Sequence, residues 1–285
     1  MSVRAELRPQ GPYSLRVSGR GASDATRVVV DGTYRATVRV EDRLERVHAL
    51  QRPDGMIVIA AESDEGVDHV RFALGLDDDH SEFLRRFAGD PLLAGTLRQL
   101  RGLRPMRTGT VAQSLLRAVA GQLIQASRAR QIERTIIRAA TPHHGGLHAP
   151  PTSAELGSFS PAQLGRLGLG ARRAACLIRL CRSFDLERLK QQPSSAVAAR
   201  LARERGLGPW SVGIVCLEGL GRYEHGLARD LGLAKLASAL WGRWAEPEEA
   251  DVLLEPYGEW AGLASVYLLA GFARGLIPLP HASAA

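Results

Sequence analysis

The residues best placed to do chemistry lie between positions 204 and 230. A turn reading Glu204-Arg205-Gly206-Leu207-Gly208-Pro209-Trp210-Ser211 comes first. An apolar run follows, and then Arg229-Asp230-Leu231-Gly232. The stretch 194–205 reads as a helix, with Ser194 or Ser195 as N-cap and an apolar stripe through Val197, Ala198 and Leu201. Gly206 falls at C′, where φ must be positive. Gly208 is expected to supply a second unusual backbone conformation. Pro209 suits the first position of a new helix over 210–220, since its missing N–H would be unpaired there anyway. The free N–H groups of that helix, beside two glycines, can hold an anion such as a DNA phosphate. An ordinary helix-turn-helix corner satisfies the same spacing. Asp230 precedes Leu-Gly-Leu-Ala-Lys-Leu-Ala and makes a good N-cap. A carboxylate there can also stabilise positive charge or activate a water, and the two roles are compatible.

Gly206-Leu207-Gly208-Pro209-Trp210-Ser211 resembles the hairpin of the helix-hairpin-helix DNA glycosylases. Asp230, twenty positions after Trp210, matches that family's spacing to its essential aspartate. The branch most similar is the bacterial alkylbase glycosylases that remove 3-methyladenine. Ala120-Gly121-Gln122-Leu123-Ile124 resembles that branch's Gly-Gln helix. Residues 164–177, with Leu167-Gly168-Leu169 and Arg172-Arg173-Ala174, resemble the helix pair before the hairpin. The likeness covers roughly residues 90–275.

The resemblance implies an enzyme that flips a damaged base out of duplex DNA and hydrolyses its N-glycosidic bond. Asp230 would stabilise the oxocarbenium-like sugar and activate water. Trp210 stands where strand-cutting branches carry a lysine, so a monofunctional glycosylase is expected; only Lys190 and Lys235 are lysines. Phosphate contacts would come from Gly206, Leu207, Gly208, Trp210 and Ser211, with a monovalent cation possible on the hairpin carbonyls. The base pocket would be lined by Trp210, Gln122, Ile214, Tyr267 and Leu269. Ile214 and Leu269 stand where aromatic residues are expected, and Tyr267 can compensate. Gln122 faces either the pocket or the partner strand. Leu123 is either a wedge into the vacated stack or a core leucine. Arg128, Arg172 and Arg173 are either nonspecific DNA contacts or solvated charges. The expected partner is double-stranded DNA with a damaged base, the expected substrate an alkylated purine, and the expected state a monomer. A glycosylase for a deaminated or oxidised base and a noncatalytic DNA-binding protein are the alternatives. The second has no need of an acid at 230.

Composition agrees with an anionic partner. The formal charge is +7 and the pI about 9.9, so association with nucleic acid is favoured. Nearly all the positive charge is arginine, which grips phosphate in a bidentate way and also reflects a GC-rich genome. Three cysteines, Cys176, Cys181 and Cys216, make no disulfide framework and read as buried thiols. The four-cysteine iron–sulfur cluster of some relatives is excluded, since no cysteine follows Cys216. No cofactor is expected. Arg4, Glu6 and Arg8 argue against a signal peptide. The longest apolar run, 261–273, is too short to span a membrane. A cytoplasmic protein is expected.

These parts must be positioned by an α+β chain. Residues 1–90 read as a small antiparallel β-sheet domain. Tyr13, Leu15 and Val17 alternate with polar neighbours, as do Tyr34, Ala36, Val38 and Val40. Asp31-Gly32 is a hairpin signal, Pro53-Asp54-Gly55 a turn, and one or two helices follow over 64–87. Arg35, Thr37 and Arg39 share one strand face, which reads as solvated or as a DNA contact. Residues 91–285 read as an all-α helix-hairpin-helix domain of two lobes, about 107–225 and 91–106 plus 226–285. Thr110-Val-Ala-Gln113 is a capping box opening one helix that runs to about Ala140. His143, His144 and His148 mark a solvated loop rather than a metal site. Ser160-Pro161-Ala-Gln163 is a second capping box. A buried helix is expected over 171–184, another opening at Pro247-Glu248-Glu249, and a last long one over 260–272.

Overall fold

The computed structural model describes residues 3–183 and 185–280. Five antiparallel strands form the N-terminal sheet: β1 (Val3–Leu7), β2 (Arg27–Val30), β3 (Thr33–Val40), β4 (Arg43–Gln51) and β5 (Ile57–Ala61), in the order β1-β5-β4-β3-β2. The β2–β3 connection is the expected two-residue turn, with Asp31 at φ 50° and Gly32 at φ 72°. Two successive positive φ values are what a type I′ turn needs. Residues 34, 36, 38 and 40 alternate inward as read, and the buried face packs against helix α1 (Asp64–Ala73) through Val67 and Val70. Leu15 and Val17 are not strand residues; they lie in the short helix Leu15–Ser18, capped by Ser14.

The other sheet face is neither bare nor open to DNA at Thr37 and Arg39. Thr37 donates to the His144 carbonyl at 2.9 Å, and Arg39 donates to the Pro150 carbonyl at 2.7 Å and to Glu155 at 2.5 Å. The partners lie more than a hundred residues away, so strand periodicity could not reveal them. The histidines themselves belong to a two-stranded hairpin, His143–His144 with Leu147–His148, not to an irregular loop.

The helical part has two cores. One gathers residues of α2 (Val111–Gly121), α3 (Ala126–Ala140), α4 (Ala171–Ser183), α5 (Ser194–Ala202) and α6 (Pro209–Ile214), the last continuing as a π turn over Val215–Gly219. The second gathers α7 (Leu231–Trp241) and α8 (Ala261–Phe272) with Leu93 and Leu97. Phe83 and Phe87, ahead of residue 91, pack into this second core as well. Phe184 lies outside the described residues. The chain opening at Pro247 forms a 3₁₀ turn, Glu249–Leu253, rather than a full helix. Among the described residues no helix is long and apolar enough to cross a membrane.

The single helix expected over 110–140 is two. Thr110 caps α2 by accepting from Gln113 N, but the Gln113 side chain bonds Gly109 rather than closing the box. The box at Ser160 and Gln163 is complete, with Pro161 at its start. Helix α2 stops at Gln122, whose ψ is 121°, and Leu123 follows at φ 55°. Arg117 fixes α2 from below: it bonds Glu133 on α3 at 2.8 Å, Asp24 of the N-terminal part at 2.8 Å, and Glu218 on the π turn.

Candidate active site

The hairpin takes its shape from one glycine. Gly206 has φ 96°, and a Cβ there would stand 2.8 Å from Cys176 Sγ, so both backbone and space require glycine. Gly208 is different from its sequence reading. Its φ is −95° and ψ 174°, ordinary extended backbone, and no atom lies within 4 Å of a Cβ placed there. Its role is an open approach, not a strained turn. Pro209 opens α6 and no side chain caps that end. The N–H groups of Trp210 and Ser211 are therefore at the helix start, where intrahelical acceptors are lacking.

Two of the turn's carbonyls already have donors. Arg205 O accepts from Arg179 at 2.7 Å, and Gly206 O accepts from Gln122 Nε2 at 2.8 Å. Each of these oxygens thus already accepts a hydrogen bond, and no step below uses a cation there. Gln122 also donates to Ser211 Oγ at 3.0 Å. Its amide nitrogen thus faces the hairpin, where the turn offers it two acceptors at once.

Asp230 caps α7. Its Oδ1 accepts from Gly232 N at 2.7 Å and Leu233 N at 3.1 Å. Its Oδ2 accepts from Trp210 Nε1 at 2.7 Å. The capping role and the approach to Trp210 hold together in one half-buried carboxylate. Three donors fix its plane, and Oδ2 keeps lone-pair capacity for a further partner. Arg229, just before it, sits at φ 61° with its N–H donating to Asp251 at 2.6 Å.

Trp210 is held at both ends. Its indole N–H meets Asp230, and its Cη2 lies 2.5 Å from where a Cβ on Gly121 would stand. Gly121 therefore gives the ring its place. Leu269 approaches Asp230 through a second glycine, its Cδ2 being 2.5 Å from a Cβ position on Gly232. Sequence reading quoted Gly121 as half of the Gly-Gln pair and Gly232 two residues past the acid, but gave neither a packing role.

Leu123 is 89% exposed, so it is not a core residue. Two pocket expectations fail. Tyr267 is fully buried in the second core, where its hydroxyl donates to Leu103 O at 3.1 Å and its ring packs 5.4 Å from that of Phe83. Ile214 is buried in the first core. Tyr267 presents no surface to a ligand and Ile214 only 6% of its own, because each satisfies its own lobe's packing. Arg173 is half-buried and bonds the Ala120 and Gln122 carbonyls, while Arg128 bonds Gln131 and Arg172 is exposed.

The three cysteines are free and buried, and burial pushes the Cys181 and Cys216 thiols up to about 12. They stay protonated and inert at neutral pH. Lys190 pairs with Glu187 at 2.8 Å, and Lys235 lies exposed on α7. Among the described residues no group of three or more His, Cys, Asp or Glu could hold a metal ion.

No protein-family model matches the chain. It is 24% identical over 255 residues to a DNA-3-methyladenine glycosylase of Bacillus subtilis, covering 85% of this chain and 84% of that one. It is 25% identical over 284 residues to a probable bifunctional transcriptional activator/DNA repair enzyme AlkA of Mycobacterium tuberculosis, covering 94% of this chain but 56% of that protein. Among solved structures it superposes on a 3-methyladenine DNA glycosylase from Archaeoglobus fulgidus with a TM-score of 0.82, at 20% identity, over 94% of this chain and 98% of that one. In sequence the chain is thus similar to DNA-3-methyladenine glycosylases, and its fold is that of the solved Archaeoglobus fulgidus enzyme, with a glycine hairpin and an acid twenty residues past Trp210.

Proposed function

We propose that this protein is a monofunctional DNA glycosylase acting in base excision repair. It binds duplex DNA, turns an alkylated purine out of the stack and hydrolyses the bond between base and sugar. One observation carries the reading: Asp230 is half-buried yet forms no ion pair among the described residues, and Trp210 fixes it from the hairpin at 2.7 Å.

The chemistry follows from charge. As the glycosidic bond lengthens, the sugar gains oxocarbenium character. A carboxylate already oriented by three N–H donors stabilises that charge without reorganising. Asp230 Oδ2 then accepts a proton from the water that attacks the sugar. An alkylated purine carries positive charge before the bond breaks and leaves as a neutral base, so no acid is needed on its side. The products are a free base and an abasic site.

The surrounding residues divide the other work. Backbone N–H groups at Trp210 and Ser211 receive a phosphate across the open face of Gly208. Leu123 enters the gap that the everted base leaves, offsetting part of the few kcal/mol that eversion costs. With Ile214 and Tyr267 withdrawn into the cores, Trp210 carries the stacking on the base. Selection then leans on the lability of the glycosidic bond, which favours N3- and N7-alkylated purines. Trp210 leaves no amine at its position, so strand cleavage is not part of the reaction.

The test is release of free 3-methyladenine and 7-methylguanine from methylated duplex DNA. Wild type releases both, and Asp230→Asn releases neither at a comparable rate. Equal release by the two would overturn the assignment of the acid. Binding without release from a broad lesion panel would make the protein a DNA-binding module. Strand scission without alkali would restore a lyase step.

A further inference from the structure

Helix α4 carries three side chains at a spacing of three; one meets the end of α2 and the other two meet the hairpin turn, both parts of the proposed DNA-facing surface. Arg173 Nη1 donates to Ala120 O at 3.1 Å and Gln122 O at 3.2 Å. Cys176 donates to Arg205 O at 3.4 Å and packs beneath Gly206. Arg179 donates to Arg205 O at 2.7 Å and pairs with Glu204 at 2.5 Å. Residues three apart lie next to one another along a helix surface, so these form one ridge.

The last carbonyls of α2 need donors from outside the helix. A guanidinium supplies them, where a C′ glycine would be usual. Leu123 follows at φ 55° and 89% exposed, a conformation that nothing in its own side chain favours. The Gln122 amide then crosses to Gly206 O and Ser211 Oγ. The Leu123 loop and the hairpin are thereby tied to each other, and both are tied to α4.

We infer that α4 is a brace that holds the exposed Leu123 and the glycine hairpin in one register before DNA arrives, with Arg173 as the positioning residue for Leu123. The inference rests on the wedge and phosphate roles proposed above. A single guanidinium nitrogen, Nη1, reaches both carbonyls, and the planar group that carries it holds it more rigidly than the flexible stem of a lysine holds its ammonium. A loop ordered in advance loses less entropy on binding. The Nη1 hydrogen bonds of Arg173 go to backbone carbonyls rather than to a phosphate.

The experiment compares single-turnover release of 3-methyladenine from a duplex and from the same strand alone. A single strand leaves no gap for a wedge to fill, so the two substrates separate positioning from general damage. Arg173→Met is expected to slow the duplex reaction about tenfold and the single-strand reaction less than about twofold. Arg173→Lys falls between, and serves where the methionine variant folds poorly. Leu123→Ala gives the same pattern, and adding Arg173→Met to it costs little more, since the two act as one unit. Equal slowing on both substrates, or an unchanged duplex rate, overturns the brace. A wild type that releases no base from either substrate defeats the glycosylase reading instead. In that event amide exchange decides: faster exchange over 121–125 in Arg173→Met supports the brace, and unchanged exchange overturns it.

Discussion

The β2–β3 turn and the loop after α2 both enter the left-handed region of the backbone, for opposite reasons. Asp31 and Gly32 take φ 50° and 72° because a two-residue turn between twisted antiparallel strands asks for it, and their own types tolerate it. Leu123 takes φ 55° although leucine disfavours it by roughly 1 kcal/mol or more. Bonds from Arg173 and Gln122 hold the flanking backbone there. Arg229, before the acid, is held in the same way by Asp251. Strain that local sequence explains lies at the sheet's edge. Strain that only distant residues explain flanks the site.

That contrast can be broken or sharpened. The largest effect is expected at the acid: Asp230→Asn should lower single-turnover excision about 10²–10³-fold. Thermal stability should move little, because asparagine also caps a helix. A large loss of melting temperature would make the residue structural in the manner of Asp31.

The next largest is a pH effect set by tertiary packing. His80 is 2% exposed, edge-on to Tyr223 at 4.7 Å and near Trp260. Burial, then the neighbouring Arg104 charge, lowers its pKa from 6.5 to about 4, with Arg107 adding and Asp78 and Asp79 opposing. Between pH 6.5 and 4 the unfolded chain takes up this proton and the folded chain does not. Stability is therefore retained above the upper value and lost as pH falls through the window, by up to about 3 kcal/mol. Denaturant titrations of His80→Phe at pH 7 and pH 4.5 should differ less than those of wild type. An unchanged difference would remove His80 from the account.

A smaller effect separates two glycines. In Gly232→Ala the new Cβ would meet Leu269 Cδ2 at 2.5 Å and Asp230 Oδ1 at 2.8 Å. Excision should fall about tenfold through a displaced carboxylate. Ordinarily alanine would stabilise a helix relative to glycine. In Gly32→Ala the Cβ meets nothing within 4 Å, and only φ opposes it. Stability should drop about 1 kcal/mol with excision unchanged. A rate defect in Gly32→Ala would show that the sheet's turn is not independent of the site.

Legibility followed the same division. The alternation of Tyr34, Ala36, Val38 and Val40, the Asp31-Gly32 turn, the positive φ of Gly206 and the cap at Asp230 are all local features, and all stand where the sequence placed them. Helix α5 ends at Ala202 rather than at Arg205, so Gly206 lies in the turn beyond it and not at C′. The break between α2 and α3 was not legible. Gly121-Gln122-Leu123 contains no proline, and residues 50 to 90 positions downstream stop the helix. The outward face of β3 was misread for a like reason: Arg39 finds Glu155 across 116 positions. Tyr267 and Ile214 were placed at the pocket by analogy, and the packing of each lobe draws them inward.

The sequence alone determined the β2–β3 hairpin, most helix starts, the glycine turn and the position of the acid, because periodicity, capping and positive-φ glycines act within a few residues. Only the tertiary structure decided that Trp210 bonds Asp230, that Gln122 serves the hairpin and that Arg173 holds the loop bearing Leu123. Hydrogen bonds between elements depend on where separate helices come to rest. Packing of the two cores fixes that placement, and no window of sequence contains it.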